Sequence, residues 1–382
     1  MSIRADEIIA AAWQQTGLSD SGDDSIFEGL NVLCDSLNKE AGLSERGEMS
    51  VRKDLVETLV NRLRVEDYLK THPEILERPI EKPMFVFGLR RTGTTLVINL
   101  LSVDPARRCF LRWEAFDSVP PPTPEELHAG PRYEKAQAMV DMSLKYAPQI
   151  SAIHHEDGDS PCECQFSMSP SFCTQVYDSI YHVPSYHKWF FAASYLPAFR
   201  YQKRLLQLLQ SQAPGHWTLK NPWHPLYLGD LTTVYPDAQL VMTHRDPVDV
   251  VASASSLLKH VRVMFSDAVD LKAIGQTMLE TFDEMIRRML AYREAHGWDS
   301  IYDIQYGDLM RDPMGEMKKL YAHFDEPLTA NAETRMRAYL ADNPQGKHGK
   351  HSYSLEEYGL TAEAVRERYA DYCRKFRIEQ RS

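Results

Sequence analysis

The sequence predicts an α/β fold with a P-loop-like central parallel sheet flanked by helices and an N-terminal helical extension. The first observation is an apolar strand, MFVFG (84–88), that runs directly into the glycine-containing turn LRRTGTT. The second is a series of short apolar runs, HWTL (216–219), QLVMT (239–243) and IYDIQY (301–306), with helical stretches after the last two. Because alternating strands and helices form βα units, these strands are expected to pair in parallel.

The first part of the chain, residues 1–80, is expected to form the helical extension. Apolar residues recur at helical spacing in DEIIAAAWQQ and in VRKDLVETLVNRLRVEDYL. Gly42 and Gly47 are expected to break the pattern between these two stretches, because glycine disfavours helix interiors. The remainder, residues 81–382, contains the predicted strands and is expected to form the main domain.

Helical patterns fill the spaces between the predicted strands. The helix after the first strand is expected to end at Asp104-Pro105, and a second helical pattern covers residues 130–147. Residues 166–199 are dense in aromatic side chains without a clear helical or strand period. The chain then ends with a basic, glycine-containing segment, QGKHGKHSY (345–353), and a last helical pattern.

The overall composition limits the classes of function. The chain has 382 residues, of which 43% are hydrophobic and 25% charged, as in an ordinary globular protein with a sizeable core. Its formal net charge of −11 argues against a general nucleic-acid binder, which would be basic. A local basic pocket for one anionic ligand is compatible with this charge.

Targeting, membrane and metal signals are not recognisable in the sequence. The opening residues, MSIRADEIIAAAWQQ, do not look like a secretory signal, and no stretch approaches the roughly 20 apolar residues of a membrane span. We therefore expect a cytoplasmic protein with free thiols. The alternative is a metal site of Cys162, Cys164 and Cys173 with His154 and His155, but their spacing is not that of a zinc site, so no metal is expected.

The turn after the first strand has the pattern of a phosphate-binding loop, GxxxxGK(S/T), with one departure. Gly88 and Gly93 occupy the glycine places and Thr95 the last place, but Thr94 replaces the lysine. Successive backbone N–H groups and a helix N-terminus still favour an anion there. The alternative is a plain glycine turn with solvated arginines. The residues expected to hold the anion are Arg90, Arg91, Thr92, Gly93, Thr94 and Thr95.

A second anion site is predicted where the strand QLVMT ends. Asp246 is a good N-cap and Pro247 suits the first helical position, so a helix is expected to begin there. Arg245 precedes this helix and Ser253 lies about two turns inside it, a combination suited to a phosphate monoester. The alternative for Arg245 is a salt bridge beside the helix. The triplet His-Arg-Asp at this place also occurs in protein kinases, but Val251 stands where the kinase asparagine is required.

Together these motifs resemble those of the sulfotransferases that use 3′-phosphoadenosine 5′-phosphosulfate (PAPS). GLRRTGTTLVINLLSVDP is similar to their 5′-phosphosulfate loop, and THRDPVDVVASASSL is similar to their 3′-phosphate segment. DIQYGDLMRDP resembles a family strand and turn whose tyrosine, Tyr306 here, lies near the adenine. KHGKHSYSLEEYGL stands where the family closes a basic loop over the 3′-phosphate, which implies binding roles for Lys347, Gly349 and Lys350. The resemblance covers roughly residues 84–360 and is closer to bacterial members.

The resemblance implies a reaction and a division of the chain. The donor would be PAPS and the product adenosine 3′,5′-bisphosphate, with no metal, because a sulfuryl group carries less negative charge than a phosphoryl group. Arg91 would stabilise the charge that grows on the leaving phosphate oxygen. Residues 81–382 would form the sulfotransferase domain, with an acceptor-pocket insertion at about 112–215 and a nucleotide lid at about 343–360.

Transfer to an alcohol requires a general base near the acceptor oxygen. Family members with a histidine base carry it after a lysine at a strand end, but here Pro222 occupies that place and His224 comes two residues late. Other branches use a glutamate, and RWEAFDSVPPP offers Glu114, which we favour. The alternatives come from HHEDGDSPCEC, and Lys220 is expected to hold the bridging oxygen or to serve as a structural cation. Those alternatives are His155, Glu156 and Glu163.

The acceptor is expected to be a small apolar or aromatic alcohol or phenol, because the aromatic segment 166–199 would wall an apolar pocket. We expect no nucleic-acid partner and no membrane span, and a homodimer is compatible with the sequence. Two other classes of function stay open. A P-loop kinase of a small molecule would depend on magnesium and ATP, and a non-catalytic nucleotide-binding protein would bind adenosine bisphosphate without turnover.

Overall fold

A parallel sheet lies at the centre of the protein. The computed structural model describes residues 2–146, 156–344 and 354–380. The strands are β1 (Met84–Gly88), β2 (Arg107–Cys109), β3 (His216–Lys220), β4 (Gln239–His244) and β5 (Tyr302–Gln305). Within the described ranges they form one sheet in the order β2-β3-β1-β4-β5, and all pairs are parallel. The predicted P-loop-like α/β fold is therefore confirmed, and only the short strand β2, rich in arginine, was not foreseen.

Helices surround the sheet on both faces. The first nine are α1 (Ala5–Thr16), α2 (Ile26–Glu40), α3 (Glu45–Thr71), α4 (Thr94–Ser102), α5 (Pro131–Tyr146), α6 (Cys164–Met168), α7 (Gln175–Ile180), α8 (Pro184–Ala192) and α9 (Leu196–Leu209). They are followed by α10 (Leu228–Val234), α11 (Pro247–Arg262), α12 (Leu271–His296), α13 (Tyr306–Arg311), α14 (Pro313–His323), α15 (Ala330–Asp342), α16 (Ala362–Arg368) and α17 (Ala370–Phe376).

The central strand β1 shows why the sheet is covered on both sides. All five of its residues are buried, and successive side chains point to opposite faces. Met84 and Val86 pack into one hydrophobic cluster with residues of α4 and α14, whereas Phe85 and Phe87 pack into the larger cluster on the other face. A strand buried on both faces has to be apolar throughout, which is the pattern that the sequence shows.

The N-terminal helices share the larger hydrophobic cluster with the sheet. The expectation that Gly47 breaks the helical pattern is wrong, because Gly47 lies in the first turn of α3. A Cβ atom at this position would collide with the carbonyl oxygen of Phe265, so glycine is needed for close packing and not for a chain break. The preceding Ser44 caps the helix by accepting a hydrogen bond from the Gly47 N–H at 3.1 Å.

The aromatic segment 166–199 is helical, in contrast to the irregular segment expected from the sequence. Its rings serve mainly as core: Phe172, Tyr186 and Phe190 are fully buried. Tyr186 stacks on Phe190 with ring centroids 6.1 Å apart, and its hydroxyl donates to the Phe172 carbonyl at 2.9 Å. These three rings are therefore part of the core, whereas other rings of the segment, such as Phe166 and Phe191, are only partly buried.

Two further expectations concern membranes and thiols. Across the three described ranges we find no helix whose length and apolarity would let it cross a membrane. All six cysteines are buried and free, as predicted. Burial raises the pKa of the Cys34 thiol to about 12, and the same cause raises that of Cys164 to about 12, so neither is a reactive thiolate near neutral pH.

His224 is enclosed by aromatic rings beneath the sheet. Its ring lies 5.2 Å from that of Phe85 and 5.6 Å from that of Tyr227, and neither of its nitrogens has a hydrogen-bond partner among the described residues. Burial lowers the pKa of His224 to about 3, because a charged imidazolium would lose its hydration there. The side chain is thus a neutral core residue and is not placed to act as a catalytic base.

This burial predicts a loss of stability in mild acid. Between pH 6.5 and 3 the unfolded chain binds a proton at His224 and the folded protein does not. The free energy of unfolding therefore falls as the pH falls. The contribution lost between pH 7 and pH 5 is about 2 kcal/mol. Urea denaturation at both pH values should show a smaller pH dependence for His224→Leu than for the parent protein. The exposed His296→Leu is the control, and equal pH dependence in all three proteins would contradict this role.

Candidate active site

The two predicted anion-binding motifs meet at the carboxyl ends of β1 and β4. Gly88, the last residue of β1, pairs with Thr243 of β4. The Thr92 hydroxyl donates to the Leu89 carbonyl at 2.6 Å and lies 2.6 Å from the Thr243 hydroxyl, with which it forms a hydrogen bond. The Thr92 side chain therefore fixes the loop to the neighbouring strand. Thr92 can therefore contribute to the predicted anion site only through its backbone N–H group.

Backbone conformation and close packing explain why glycine occupies two positions of the loop. A Cβ atom at Gly88 would lie 2.5 Å from the Thr243 carbonyl oxygen, so only glycine allows the loop to approach β4 this closely. Gly93 has φ of 101° and immediately precedes α4, a conformation that favours glycine. Arg91 also has a positive φ of 68°, which is uncommon for a residue with a side chain and is frequently found at functional sites.

A cavity of about 420 Å³ lies above this edge of the sheet. It is lined by residues that are far apart in sequence, which include most of the predicted loop set. The predicted residues that line it are Arg90, Arg91, Gly93, Thr94, Thr95, Arg245 and Tyr306, together with the alternative base Glu163. The volume falls within the range of small-molecule sites in proteins. The fold therefore unites the phosphate loop, the second anion segment and a carboxylate in one place.

Arg90 is the buried cation of this cavity. Its guanidinium stacks on the Trp223 ring, 5.1 Å from the centroid, and its Nη1 is buried without a hydrogen-bond partner among the described residues. Burial lowers the pKa of Arg90, although the nearby charge of Glu163 opposes this shift. A guanidinium stays protonated in proteins, and a buried one needs an anion or acceptor to offset its desolvation. The arrangement therefore favours an anionic ligand.

Arg245 links the second segment to the loop. Its Nη1 donates to the Arg91 carbonyl at 3.1 Å and its Nη2 donates to Asp249 at 2.7 Å, while its guanidinium lies 4.4 Å from the centre of the Tyr306 ring. Asp246 caps α11 by accepting from the Val248 N–H at 3.0 Å, as the sequence predicts. The salt bridge considered as the alternative is thus present, and it holds the guanidinium at the wall of the cavity.

Several predicted residues lie away from the cavity wall or outside the described residues. Ser253 is buried in α11 and does not line the cavity, although Leu257, one turn further along the helix, does. His155, Lys347, Gly349 and Lys350 lie outside the described residues. The other residues of the cavity wall were not predicted from the sequence, because their side chains are mostly apolar and uncharged. They are Leu96, Pro222, Leu257, Met310, Pro313, Leu340, Asn343 and Pro344.

Glu163 and Lys220 form a buried ion pair at the cavity. Lys220 ends β3, and its Nζ lies 3.1 Å from Glu163 Oε1. Gln165 Nε2 donates to the second oxygen, Oε2, at 2.5 Å. Burial opposes the charged ammonium, but the attraction of Glu163 and Glu156 outweighs it, so the pKa of Lys220 is raised. Both carboxylate oxygens therefore have a fixed partner, and Glu163 lines the cavity whereas Lys220 does not.

Glu114, the base favoured from the sequence, occupies a different environment. It is fully buried in a short helical turn, Trp113–Ala115, and does not line the cavity. Arg108 donates to both of its oxygens, and the Leu111 N–H donates to Oε2 at 2.8 Å. Its acceptor sites are occupied by structural partners, so this geometry favours a role in stability. Among the described residues no group of three or more histidine, cysteine or acidic side chains could hold a metal ion.

The fold and the cavity define an α/β protein whose P-loop-like turn lacks the lysine and whose basic cavity is large enough for a nucleotide. Comparison with known proteins identifies the family. A model of the sulfotransferase family matches residues 83–330. The chain therefore belongs to the sulfotransferase family and is a sulfotransferase.

Relatives of known structure and function agree with this membership. The crystal structure of sulfotransferase STF9 from Mycobacterium avium is 36% identical, with a TM-score of 0.92 over 99% of this chain and 97% of that one. Sulfotransferase STF1 from Mycobacterium tuberculosis H37Rv is 33% identical, with a TM-score of 0.86 over 97% and 99%. The omega-hydroxy-beta-dihydromenaquinone-9 sulfotransferase Stf3 of Mycobacterium bovis is 26% identical over 300 residues, which are 74% of this chain and 73% of Stf3.

The environment of Glu114 predicts a stability defect and not a catalytic one. Glu114→Gln leaves the buried Arg108 guanidinium without its carboxylate, so the free energy of unfolding should fall by about 3–5 kcal/mol. Turnover per folded molecule should change little. Thermal denaturation and active-site-normalised kinetics would separate the two effects, with the exposed Glu125→Gln as control. A rate loss of about 10²-fold or more without a stability change would restore Glu114 as the base.

Proposed function

We propose that this sulfotransferase moves a sulfuryl group from PAPS to the hydroxyl of an apolar acceptor. The observation that carries the proposal is the basic cavity in which Arg90, Arg91 and Arg245 converge, although the whole chain has a net charge of −11. Concentrated positive charge in a cavity of this size suits a ligand with several anionic groups.

The donor would lie across the two motifs. Backbone N–H groups of the loop at Gly93 and Thr94, with the N-terminus of α4, would hold the 5′-phosphosulfate. Arg245 would contact the 3′-phosphate, and the ring of Tyr306 offers a surface for the adenine. Arg91 would stabilise the negative charge that develops on the bridging phosphate oxygen, since its contribution grows as the bond to sulfur breaks.

Glu163 is our choice for the general base. In the transfer, the acceptor oxygen forms a bond to sulfur, the bond between sulfur and the bridging phosphate oxygen breaks, and the acceptor proton passes to Glu163. Lys220 and Gln165 would position the carboxylate for this step, because each binds one of its two oxygens. Glu163 was only an alternative in the sequence, and its position at the cavity wall supports it over Glu114.

The acceptor is proposed to be an alcohol on an apolar or lipid-like molecule. The name of Stf3 describes a hydroxylated menaquinone as the molecule on which that relative acts. In this chain Phe116 is half exposed and makes an edge contact with Phe166, three residues after Glu163, with ring centroids 6.1 Å apart. An apolar pair beside the proposed base suits an acceptor whose hydroxyl is attached to a hydrophobic body.

A small-molecule kinase is less well supported. Thr94 stands in the place where a P-loop kinase carries the lysine that neutralises the β- and γ-phosphates. In this cavity the positive charge beside the bound anionic group would come from arginines and not from a loop lysine. Transfer of radiolabel from ATP to an alcohol in the presence of magnesium, with none from PAPS, would favour the kinase.

Nucleotide binding and transfer test the proposed donor together. Adenosine 3′,5′-bisphosphate at 100 times its dissociation constant should stabilise the protein by about 2.7 kcal/mol. Adenosine 5′-monophosphate should bind much more weakly, and Arg245→Ala should remove this difference. Sulfur-labelled PAPS should transfer its label to a hydroxylated isoprenoid quinone. Equal stabilisation by the two nucleotides would reject the 3′-phosphate site, and binding without transfer to any alcohol would indicate a non-catalytic nucleotide-binding protein.

Glu163→Gln tests the proposed base. The amide keeps the size and a hydrogen-bond acceptor but cannot take the proton, so turnover should fall by about 10²–10⁴-fold. Binding of adenosine bisphosphate, measured by calorimetry, should change little and would show that the variant is folded. The control is Glu156→Gln, which removes a nearby carboxylate that is paired with Arg112. Near-normal turnover of Glu163→Gln with a loss in Glu156→Gln would move the base to Glu156.

A further inference from the structure

A second cavity, of about 370 Å³, lies on the opposite end of α11 from the Arg245 segment. It is enclosed by α7, α8, the end of α11 and α12. The side chains that determine its charge are Asp178, His182, His187, Lys188, Arg262 and Glu280. Leu257 of α11 lines the nucleotide-sized cavity and Arg262 lines this one, so the same helix separates two distinct sites.

The buried arginine of this cavity has no ion-pair partner among the described residues. Asp178 is the buried acid, and its Oδ2 accepts from His187 Nδ1 at 2.9 Å and from Gln175 Nε2 at 2.7 Å. Arg262 is also buried, but its Nη2 donates at 2.8 Å to the backbone carbonyl of Asp178 and not to the carboxylate. Its Nε is buried without a hydrogen-bond partner in the described part of the chain. The Asp178 carboxylate is thus bonded to His187, and the Arg262 guanidinium is not.

The two histidines of the cavity differ in their protonation. Burial opposes the charge on His187, but the attraction of Asp178 outweighs it, so the pKa of His187 is raised. Burial lowers the pKa of His182, and the charge of Arg262 lowers it further. At the rim, Lys188 is exposed without an ion-pair partner among the described residues, and Glu280 supplies one negative charge. The rim charges therefore offset each other, and Arg262 is the buried cation of the cavity that has no ion pair within the described ranges.

We propose that this second cavity binds a small carboxylate with an apolar body. The carboxylate would pair with Arg262, with Lys188 at the entrance, because a buried cation needs a partner to offset its desolvation. The apolar body would lie against Phe191, whose ring centroid is 4.2 Å from that of His187. The volume is sufficient for a small organic molecule. The inference does not depend on the identity of the sulfuryl donor or acceptor.

Histidine-ring NMR on the full-length protein, saturated with adenosine 3′,5′-bisphosphate to occupy the nucleotide cavity, tests this site. Benzoate is titrated at constant ionic strength, and the His187 signal is assigned by its loss in His187→Gln. We expect a saturable shift of the His187 ring at millimolar benzoate. Inorganic phosphate, which has the charge but no apolar body, should bind more weakly.

A matched pair of lysine variants distinguishes a site from general charge effects. Lys188→Ala should weaken benzoate binding by about threefold to fivefold, the usual worth of one exposed ion pair. Lys135→Ala removes the same charge from the exposed surface of α5 and should leave binding unchanged. The proposal is overturned if the His187 shift does not saturate, if phosphate binds as well as benzoate, or if both lysine variants weaken binding equally.

Discussion

The parallel pairing of β1 with β4 is the constraint on which the basic cavity lined by Arg90, Arg91 and Arg245 depends. It places Gly88 beside Thr243, so that the loop after β1 and the segment after β4 leave the sheet at the same edge. The hydrogen bond between the Thr92 and Thr243 hydroxyls then fixes the loop to its neighbour. Because both strands are parallel, both following helices begin at this edge and point their N-termini toward the same region. Two motifs separated by about 150 residues are thereby joined.

Local charge, and not net charge, gives the cavity its character. The chain as a whole is acidic, yet arginine is concentrated where the two motifs meet. Arg245 is held by Asp249 and by the Arg91 carbonyl, which keeps a long and flexible side chain at the wall of the cavity. Arg90 is held by the Trp223 ring, which stabilises the cation without supplying a negative charge. Cations arranged in this way are fixed in position before an anion arrives, which reduces the ordering required on binding.

Glu114 and Glu163 illustrate how partners separate two similar side chains. Both are buried and both lie next to a cation, but Arg108 donates one hydrogen bond to each carboxylate oxygen of Glu114. Lys220 takes one oxygen of Glu163 and Gln165 the other, and this carboxylate forms part of the cavity wall. A bidentate arginine pair suits a structural joint, whereas a carboxylate oriented from behind can still meet a substrate. In the second cavity the situation is reversed, because the buried cation Arg262 bonds to a backbone carbonyl and has no carboxylate partner among the described residues.

The sequence by itself determined the features that are local in the chain. The apolar run of β1, the glycine loop, the Asp246 cap and the parallel α/β class all follow from neighbouring residues, and the structure confirms them. Tertiary structure alone decided which residues share a cavity. The choice between Glu114 and Glu163 rests on Arg108 and Lys220, which lie on β2 and β3, and sequence spacing does not contain that information. The role of Gly47 rests on a contact with Phe265, and the aromatic segment became core because its helices pack on one another. These are long-range contacts, and their energy depends on packing that no local pattern records.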